Sequence, residues 1–140
     1  MNHSPGNPAT VTLIRAGEGE VRNDTPIAST PFAMQMLLTG NLTGEMTAMR
    51  ATFPAGSVTR WHAHPLGQLL VALAGEGRAQ AAGQPVICLN PGDAIWFPPD
   101  NRHWHGAAAG SAFTYISVQQ IEDGTHVHWY EPVADLTTTG

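Results

Sequence analysis

Residues 56–68 read Gly56-Ser57-Val58-Thr59-Arg60-Trp61-His62-Ala63-His64-Pro65-Leu66-Gly67-Gln68. This stretch has two histidines, His62 and His64, separated by one residue, and the amide of Gln68 follows them. Alternate side chains of a β-strand point to the same face, so the two imidazoles are predicted to share a face. A short turn through Pro65 and Gly67 can return Gln68 to that face. Imidazole nitrogens and an amide oxygen suit a divalent transition metal, and the stretch therefore predicts part of a metal site.

A second histidine pair, His103 and His105, is also separated by one residue. We hypothesise that the two pairs meet around one metal; the alternative is a set of structural histidines bonded to backbone groups. In an extended segment His105 shares a face with His103 and can lie near the metal without ligating it. An imidazole with an ordinary pKa of about 6.5 suits proton transfer near neutral pH, so His105 is a candidate acid/base. The alternative role for His105 is to orient a ligand.

The composition is that of one globular domain. The chain has 140 residues, of which 42% are hydrophobic, and no apolar run long enough for a membrane helix. Its net charge of -5, with six arginines and no lysine, argues against nucleic-acid binding and excludes Schiff-base chemistry on a lysine. The N-terminus shows no basic region followed by an apolar one, so a cytoplasmic location is expected.

Short strand-like pieces follow one another from residue 32 onward, separated by turns rich in Gly, Pro and Asp. The predicted strands are Phe32–Leu38, Met46–Phe53, Gln68–Ala74, Gly77–Ala82, Pro85–Leu89, Ala94–Phe97 and Ala112–Ile121. Many short strands at this spacing indicate an all-β sandwich or barrel. Residues 1–31 are predicted to form an N-terminal arm with one possible strand at Thr10–Ile14, residues 32–134 the domain, and residues 135–140 a tail.

Alternation along two predicted strands indicates which side chains line the interior. Met49, Ala51 and Phe53 share one face of the first. On the second, the more polar face carries Phe113, Tyr115, Ser117 and Gln119. A polar face inside a closed barrel would line a ligand cavity. We therefore expect a pocket lined by Met49, Ala51 and Phe113 that accepts a small, partly apolar molecule.

Other conspicuous residues are predicted to lie outside the site. Cys88 falls in an apolar run and is expected to be a small buried hydrophobe rather than a reactive thiol. His126 and His128 form another pair, but no amide or carboxylate follows at motif spacing, so we expect exposed residues on a late strand. Trp61 and Trp104 have the opposite parity to the histidines beside them and are expected to pack outside the cavity, at a subunit contact.

The two histidine segments resemble the two motifs of the cupin superfamily. Gly56-x5-His62-x-His64-x3-Gln68-x6-Gly75 is similar to the first motif, in which the family has Glu at the position of Gln68. Gly92-x5-Pro98-x-Asp100-x2-His103-x3-Ala107 is similar to the second, with Asp100 for the family's glycine and Ala107 for its usual asparagine. The resemblance covers residues 56–107, and the strand pattern extends it to about 32–131. It implies a double-stranded β-helix, a jelly-roll barrel, with a metal held by His62, His64, Gln68 and His103.

A narrower resemblance is to small bacterial cupins that include manganese-dependent hydroxynitrile lyases. It rests on Trp61–Gln68, Gly92–Phe97, His103–Ala107 and the late Asp123-Gly124…Trp129. The resemblance implies manganese as the metal, although Fe, Co, Ni and Zn also suit the ligand set. It also implies that His105, Gln119, Met49 and Ala51 border the pocket. Tyr115 stands where those lyases carry a second pocket histidine; a phenol can donate or relay a proton, or it can be a core tyrosine bonded to backbone.

Three functions are compatible with these residues. The first is a metal-dependent lyase that breaks or forms a C–C bond, with His105 as acid/base and with Tyr115 and Gln119 beside it. The second is a small dioxygenase that uses Fe or Mn and O2, and the third is a non-catalytic binding module. A small-molecule substrate is expected, and neither nucleic acid nor a membrane is expected as a partner. A homo-oligomer, a dimer or a dimer of dimers, is expected because open sheet edges favour pairing.

Overall fold

Two antiparallel sheets build the barrel in the computed structural model, which describes residues 10–134. The strands are β1 (Val21–Asn23), β2 (Phe32–Thr39), β3 (Met46–Phe53), β4 (His62–Ala63), β5 (Gln68–Gly75), β6 (Gly77–Ala81), β7 (Ile87–Leu89), β8 (Ala94–Phe97), β9 (His103–Ala107), β10 (Phe113–Gln120) and β11 (His128–Trp129). One sheet has the order β1-β2-β3-β10-β5-β8 and the other β11-β4-β9-β6-β7. The predicted all-β double-stranded β-helix is confirmed. Within residues 10–134 there is no helix of a length and apolarity that could cross a membrane.

The predicted strands from residue 32 onward are all present. The bounds of β3 and β8 agree with the prediction, and the other strands differ by a residue or two at their ends. The prediction of a strand at Thr10–Ile14 is wrong: this segment pairs with no strand, and the side chain of Val11 is 98% exposed. Instead the arm contributes β1, which was not predicted and which pairs antiparallel with β2.

The N-terminal arm is fastened to the outside of the six-stranded sheet. The buried amide of Gln35 donates hydrogen bonds to the carbonyl oxygens of Arg15 and Glu18, at 2.7 and 3.0 Å. Further along, Ile27 packs against the hydrophobic core. The part of the arm that the structure describes is therefore a piece of the barrel wall. The predicted tail, residues 135–140, lies outside the described residues, as do residues 1–9 of the arm.

The hydrophobic core fills one end of the space between the sheets. Phe32 stacks on Phe53 with ring centroids 4.4 Å apart, and Phe53 lies 5.7 Å from the ring of Tyr115. Phe113 completes this aromatic group and, like Phe53, is fully buried. The predicted alternation is correct, since Ala51 and Phe53 of β3 are both buried. Burial of each aromatic side chain stabilises the fold by about 1.5–3 kcal/mol.

A glycine corner carries the chain from one sheet to the other. Gly75 ends β5 with φ +74°, and a Cβ atom there would overlap the carbonyl oxygen of Ala112. At Gly77, which begins β6, a Cβ atom would lie 2.5 Å from the ring of Phe113. Both positions therefore require glycine, the first for its backbone conformation and both for lack of space.

Two sequence predictions about surface and core are wrong. Cys88 is exposed because it lies on β7, the last strand of its sheet, which pairs only with β6. Side chains alternate along this strand, so the neighbouring Leu89 is the one that is buried. Trp104 does lie outside the cavity, but it is fully buried, and its indole N–H donates to Oε1 of Gln80 at 3.0 Å. It is therefore not available for a subunit contact in the way the parity suggested. Trp61 is half-buried under the guanidinium of Arg102.

Candidate metal centre and pocket

A cavity of about 320 Å³ lies between the two sheets. Its lining combines histidine and amide side chains with apolar ones, three of which are methionines. Its lining includes Ile27, Met34, Met36, Thr47, Met49, His62, His64, Gln68, His105, Tyr115, Ser117, Gln119, His126 and Trp129. The cavity thus combines a polar site with room for an apolar group, as most small-molecule sites do.

Three buried histidines converge beside the cavity, and two of them, His62 and His64, line it. His62 of β4 pairs directly with His103 of β9 across the five-stranded sheet, and His64 follows β4. One ring nitrogen from each of the three lies within 4.8 Å of the others, so the group could hold a metal ion. The predicted meeting of the two histidine motifs is therefore present in the structure.

Backbone carbonyls fix the tautomer of all three rings. Nδ1 of His62 lies 2.8 Å from the oxygen of Arg60, Nδ1 of His64 lies 2.6 Å from that of His126, and Nδ1 of His103 lies 2.8 Å from that of Asn101. A carbonyl oxygen only accepts, so each Nδ1 must carry the proton and donate it. Each Nε2 is left with a lone pair. Nε2 of His64 is buried and has no hydrogen-bond partner among the described residues. A buried lone pair without a donor fits a metal ligand.

Gln68 reaches the same place through the predicted turn. The amide of Gly67 donates to the carbonyl of His64 at 3.1 Å, and Gly67 has φ +85°, a conformation that favours glycine. This turn places Gln68 at the start of β5, with Oε1 3.1 Å from Nε2 of His103. Since both of these atoms are acceptors, their approach is unfavourable unless a cation binds there.

Burial keeps these imidazoles neutral. It lowers the pKa of His64 to about 4 and that of His103 to about 3, in both cases more than their hydrogen bonds to carbonyls raise it. The pKa of the fully buried His62 also falls well below its ordinary value, through burial and then through repulsion from the neighbouring histidines. Neutral imidazoles are the form that binds metals, and the cluster of His62, His64 and His103 fits a divalent transition metal.

His105 lies beside the three histidines without joining them. It follows His103 on β9, pairs with Ala79 of β6, and turns its ring into the cavity. Both ring nitrogens are buried and have no hydrogen-bond partner among residues 10–134. The ring meets that of Tyr115 edge-on, with centroids 5.0 Å apart. Burial, and then repulsion from His103 and His64, lowers the pKa of His105 well below its ordinary value, so the ring is neutral and one of its nitrogens carries a lone pair.

The other predicted site residues divide between the cavity and the core. Tyr115, Gln119 and Met49 line the cavity, and burial raises the pKa of the Tyr115 phenol well above its ordinary value, so that it stays a donor. Ala51 and Phe113 belong to the hydrophobic core instead of the cavity lining. The reason is position along the strands, since Phe113 starts β10 at the glycine corner, at the far end of the strand from Gln119.

The segment 121–131 is a wall of the site that residue spacing did not reveal. His126 is half-buried and lines the cavity, so the prediction that it is exposed is wrong, whereas His128 is exposed as predicted. The carbonyl of His126 holds His64, and the ring of Trp129 lies 4.7 Å from that of His62. A contact made through a carbonyl leaves no signal in residue types, which is why spacing missed it.

Comparison with known proteins agrees with this architecture. Residues 49–119 match the family model described as Cupin domain. A segment of 84 residues is 49% identical to "(R)-mandelonitrile lyase" from Granulicella tundricola and covers 60% of this chain and 64% of that protein. The chain thus matches less than two thirds of that relative's length.

Solved structures share the fold. A cupin-like protein from Thermotoga maritima superposes with a TM-score of 0.76 at 29% identity, covering 81% of this chain and 86% of that one. The polyketide cyclase RemF from Streptomyces resistomycificus superposes with a TM-score of 0.69 at 16% identity, covering 91% and 88%, which is a likeness of fold alone. By its two motifs, its barrel and the matching family model, this chain belongs to the cupin family.

Proposed function

We propose that this chain is a metal-dependent lyase of the hydroxynitrile lyase type that acts on a small, partly apolar molecule. The observation that carries the proposal is His105, a neutral imidazole with both nitrogens unpartnered among the described residues, which faces the cavity beside three candidate metal ligands. The similarity to a protein named as a mandelonitrile lyase supports the same reaction class.

We propose that His62, His64, Gln68 and His103 hold the metal. The set is neutral, with three imidazole nitrogens and one amide oxygen, and manganese is the first candidate, before Fe, Co, Ni and Zn. A divalent cation bound there would act as a Lewis acid toward an oxygen of the substrate. Gln68 in place of a carboxylate leaves the site one negative charge poorer and so favours that role.

The residues around the cavity provide the rest of the reaction. A ring nitrogen of His105 accepts the hydroxyl proton of a cyanohydrin while the C–C bond to the nitrile carbon breaks. The electron pair leaves with cyanide, the hydroxyl carbon becomes a carbonyl, and His105 returns the proton to cyanide to give HCN. Tyr115 stays protonated and can donate a hydrogen bond. Met34, Met36 and Met49 offer thioethers to an aromatic substituent.

Cyanide release from mandelonitrile tests the proposal. Protein loaded with Mn²⁺ should release cyanide faster than buffer, and His105→Ala should abolish the release. His128→Ala is the matched control, because His128 is exposed and does not line the cavity. Release no faster than in buffer from metal-loaded protein would show that the lyase proposal is wrong.

A dioxygenase using Fe or Mn and O2 is the second candidate, since three neutral imidazoles also suit a redox-active metal. Oxygen uptake with aromatic or dicarbonyl substrates would identify it. The third function is a non-catalytic binding module. It is disfavoured by His105, because both ring nitrogens of this buried histidine lack a hydrogen-bond partner within residues 10–134, and binding alone does not require such a residue.

We also propose that the chain forms a homodimer, or a dimer of dimers. Leu69 and Leu73 of β5 and Trp96 of β8 are exposed on the outer face of the six-stranded sheet, and Leu69 pairs with Trp96. Adjacent exposed apolar side chains of this size favour burial against another subunit. Sedimentation should give a dimer that Leu69→Glu dissociates, whereas a wild-type monomer at micromolar concentration would rule the dimer out. A cytoplasmic location stays a prediction.

A further inference from the structure

A row of hydrogen-bonding side chains crosses three adjacent strands behind the metal site. Gln119 of β10 pairs in register with Thr47 of β3 on one side and with Gln68 of β5 on the other. Nε2 of Gln119 lies 2.5 Å from Oγ1 and 3.3 Å from the carbonyl oxygen of Thr47. Nε2 of Gln68 lies 3.1 Å from Oε1 of Gln119. All three side chains are buried.

The direction of the row is set by the backbone carbonyl at its start. This oxygen can only accept, so the end of the Gln119 amide that faces Thr47 must be its NH2 group. Oε1 of Gln119 then faces Gln68, which must present its own NH2 group. Oε1 of Gln68 is consequently left pointing at His103. Each of the two amides has a single orientation in which its hydrogen bonds pair a donor with an acceptor. In that orientation the Gln68 amide points its oxygen toward the three histidines.

The opposite orientation of Gln68 would close the metal site. Nδ1 of His103 donates to the carbonyl of Asn101, so Nε2 of His103 carries a lone pair. A reversed Gln68 would donate its NH2 group to that nitrogen and form an ordinary hydrogen bond in the metal-free protein. Both side chains would then be unavailable to a metal. The bond to Gln119 opposes this reversal, because the reversed amide would set its oxygen against Oε1 of Gln119.

We propose that Gln119, anchored on Thr47, is a positioning residue that holds the Gln68 amide with its oxygen toward the metal. This inference rests on the proposed metal site. A carboxylate at position 68 would have no N–H for Oε1 of Gln119, and two oxygens would meet in a buried place. Gln68 and Gln119 are therefore a matched pair.

A double-mutant cycle on Mn²⁺ affinity tests the pairing. Calorimetric titration of Mn²⁺ into metal-free protein would compare wild type, Gln119→Met, Gln68→Glu and the double variant. In the wild-type background, Gln119→Met should weaken Mn²⁺ binding by roughly 10- to 100-fold, the usual loss for a residue that orients a ligand. In the Gln68→Glu background the same substitution should leave the affinity unchanged or increase it, because a carboxylate has two equivalent oxygens. An equal loss in both backgrounds would overturn the proposal.

Two matched variants separate orientation from packing. Gln120→Met makes the same change at the next residue of β10, whose exposed amide bonds to the carbonyl of Gly44, and should not alter Mn²⁺ affinity. Thr47→Val keeps the carbonyl that sets the direction of the row and should weaken binding by less than about threefold. A loss with Thr47→Val as large as that with Gln119→Met would show that the Thr47 hydroxyl, and not its carbonyl, sets the direction of the row.

A measurement on the unsubstituted protein covers the case in which Gln119→Met does not fold. Nuclear Overhauser contacts of the Gln68 NH2 protons in the metal-free protein should be stronger to the Gln119 side chain than to the His103 ring. The reverse order of intensities would overturn the proposal. If the wild-type protein binds no Mn²⁺, both the proposed metal site and the proposed role of Gln119 are wrong. If it binds Mn²⁺ and the cycle shows equal losses, only the proposed role of Gln119 is wrong.

Discussion

Nδ1 of His64 donates a hydrogen bond of 2.6 Å to the backbone carbonyl of His126, which joins the first histidine motif to the segment 121–131. Both residues lie in a His-x-His pair, but they contribute different groups. His64 offers the lone pair of its Nε2 to the site, whereas His126 contributes only its carbonyl oxygen to the hydrogen bond. The two histidines therefore act on the site through different groups, a ring nitrogen in one case and a backbone carbonyl in the other.

This difference predicts opposite results for two alanine substitutions. His64→Ala should lower Mn²⁺ affinity by at least roughly 100-fold, since it removes a ligand. His126→Ala keeps the carbonyl and should change the affinity by less than about threefold. Titration of each metal-free variant with Mn²⁺ checks both outcomes. Equal losses would place the two histidines in the same role.

Replacement of Tyr115 by phenylalanine distinguishes the role of the hydroxyl group from that of the aromatic ring. Tyr115→Phe keeps the aromatic contact with His105, at a centroid distance of 5.0 Å, and removes the donor. If the phenol bonds a charge that develops on the substrate, kcat/KM for cyanide release should fall by roughly 10- to 100-fold. Mn²⁺ affinity should not change. An unaltered kcat/KM would show that the tyrosine serves the core.

The metal-free protein should lose stability in mild acid. Burial lowers the pKa of His64 to about 4 and that of His103 to about 3, whereas in the unfolded chain both titrate near 6.5. Between these values the unfolded state binds more protons, so the free energy of unfolding decreases as the pH falls. From pH 8 to pH 5 the loss should be on the order of 2 kcal/mol per histidine. Urea unfolding at a series of pH values, with a chelator present, measures it; a flat profile would contradict burial in the neutral form.

Met49 and Ala51 share one face of β3 but should respond differently to substitution. Met49 lines the cavity, so Met49→Ala should enlarge it and lower the KM of bulkier aromatic cyanohydrins relative to mandelonitrile. Ala51 is 1% exposed in the core, and Ala51→Leu should destabilise the fold by about 1–3 kcal/mol through overpacking. Thermal unfolding and kinetics on both variants distinguish the two effects. A stable Ala51→Leu protein with altered substrate preference would place Ala51 at the pocket.

The sequence by itself determined seven of the eleven strands within residues 10–134, the inward faces of β3 and β10, and the meeting of His62, His64 and His103. These follow from local rules: alternation fixes which side chains share a face, and the glycine at position 67 permits the turn that returns Gln68. Cys88 shows the limit of those rules. Its apolar surroundings are a local property, but its exposure depends on β7 being the last strand of its sheet.

Tertiary structure alone decided which contacts complete the site. The bond from His64 to the carbonyl of His126 and the row from Thr47 through Gln119 to Gln68 join segments far apart in sequence. A carbonyl is present at every residue, and an amide can face either way, so neither feature is marked by residue type. Only the register of β3, β10 and β5 brings these groups together, and it is this register that orients the oxygen of Gln68 toward the three histidines.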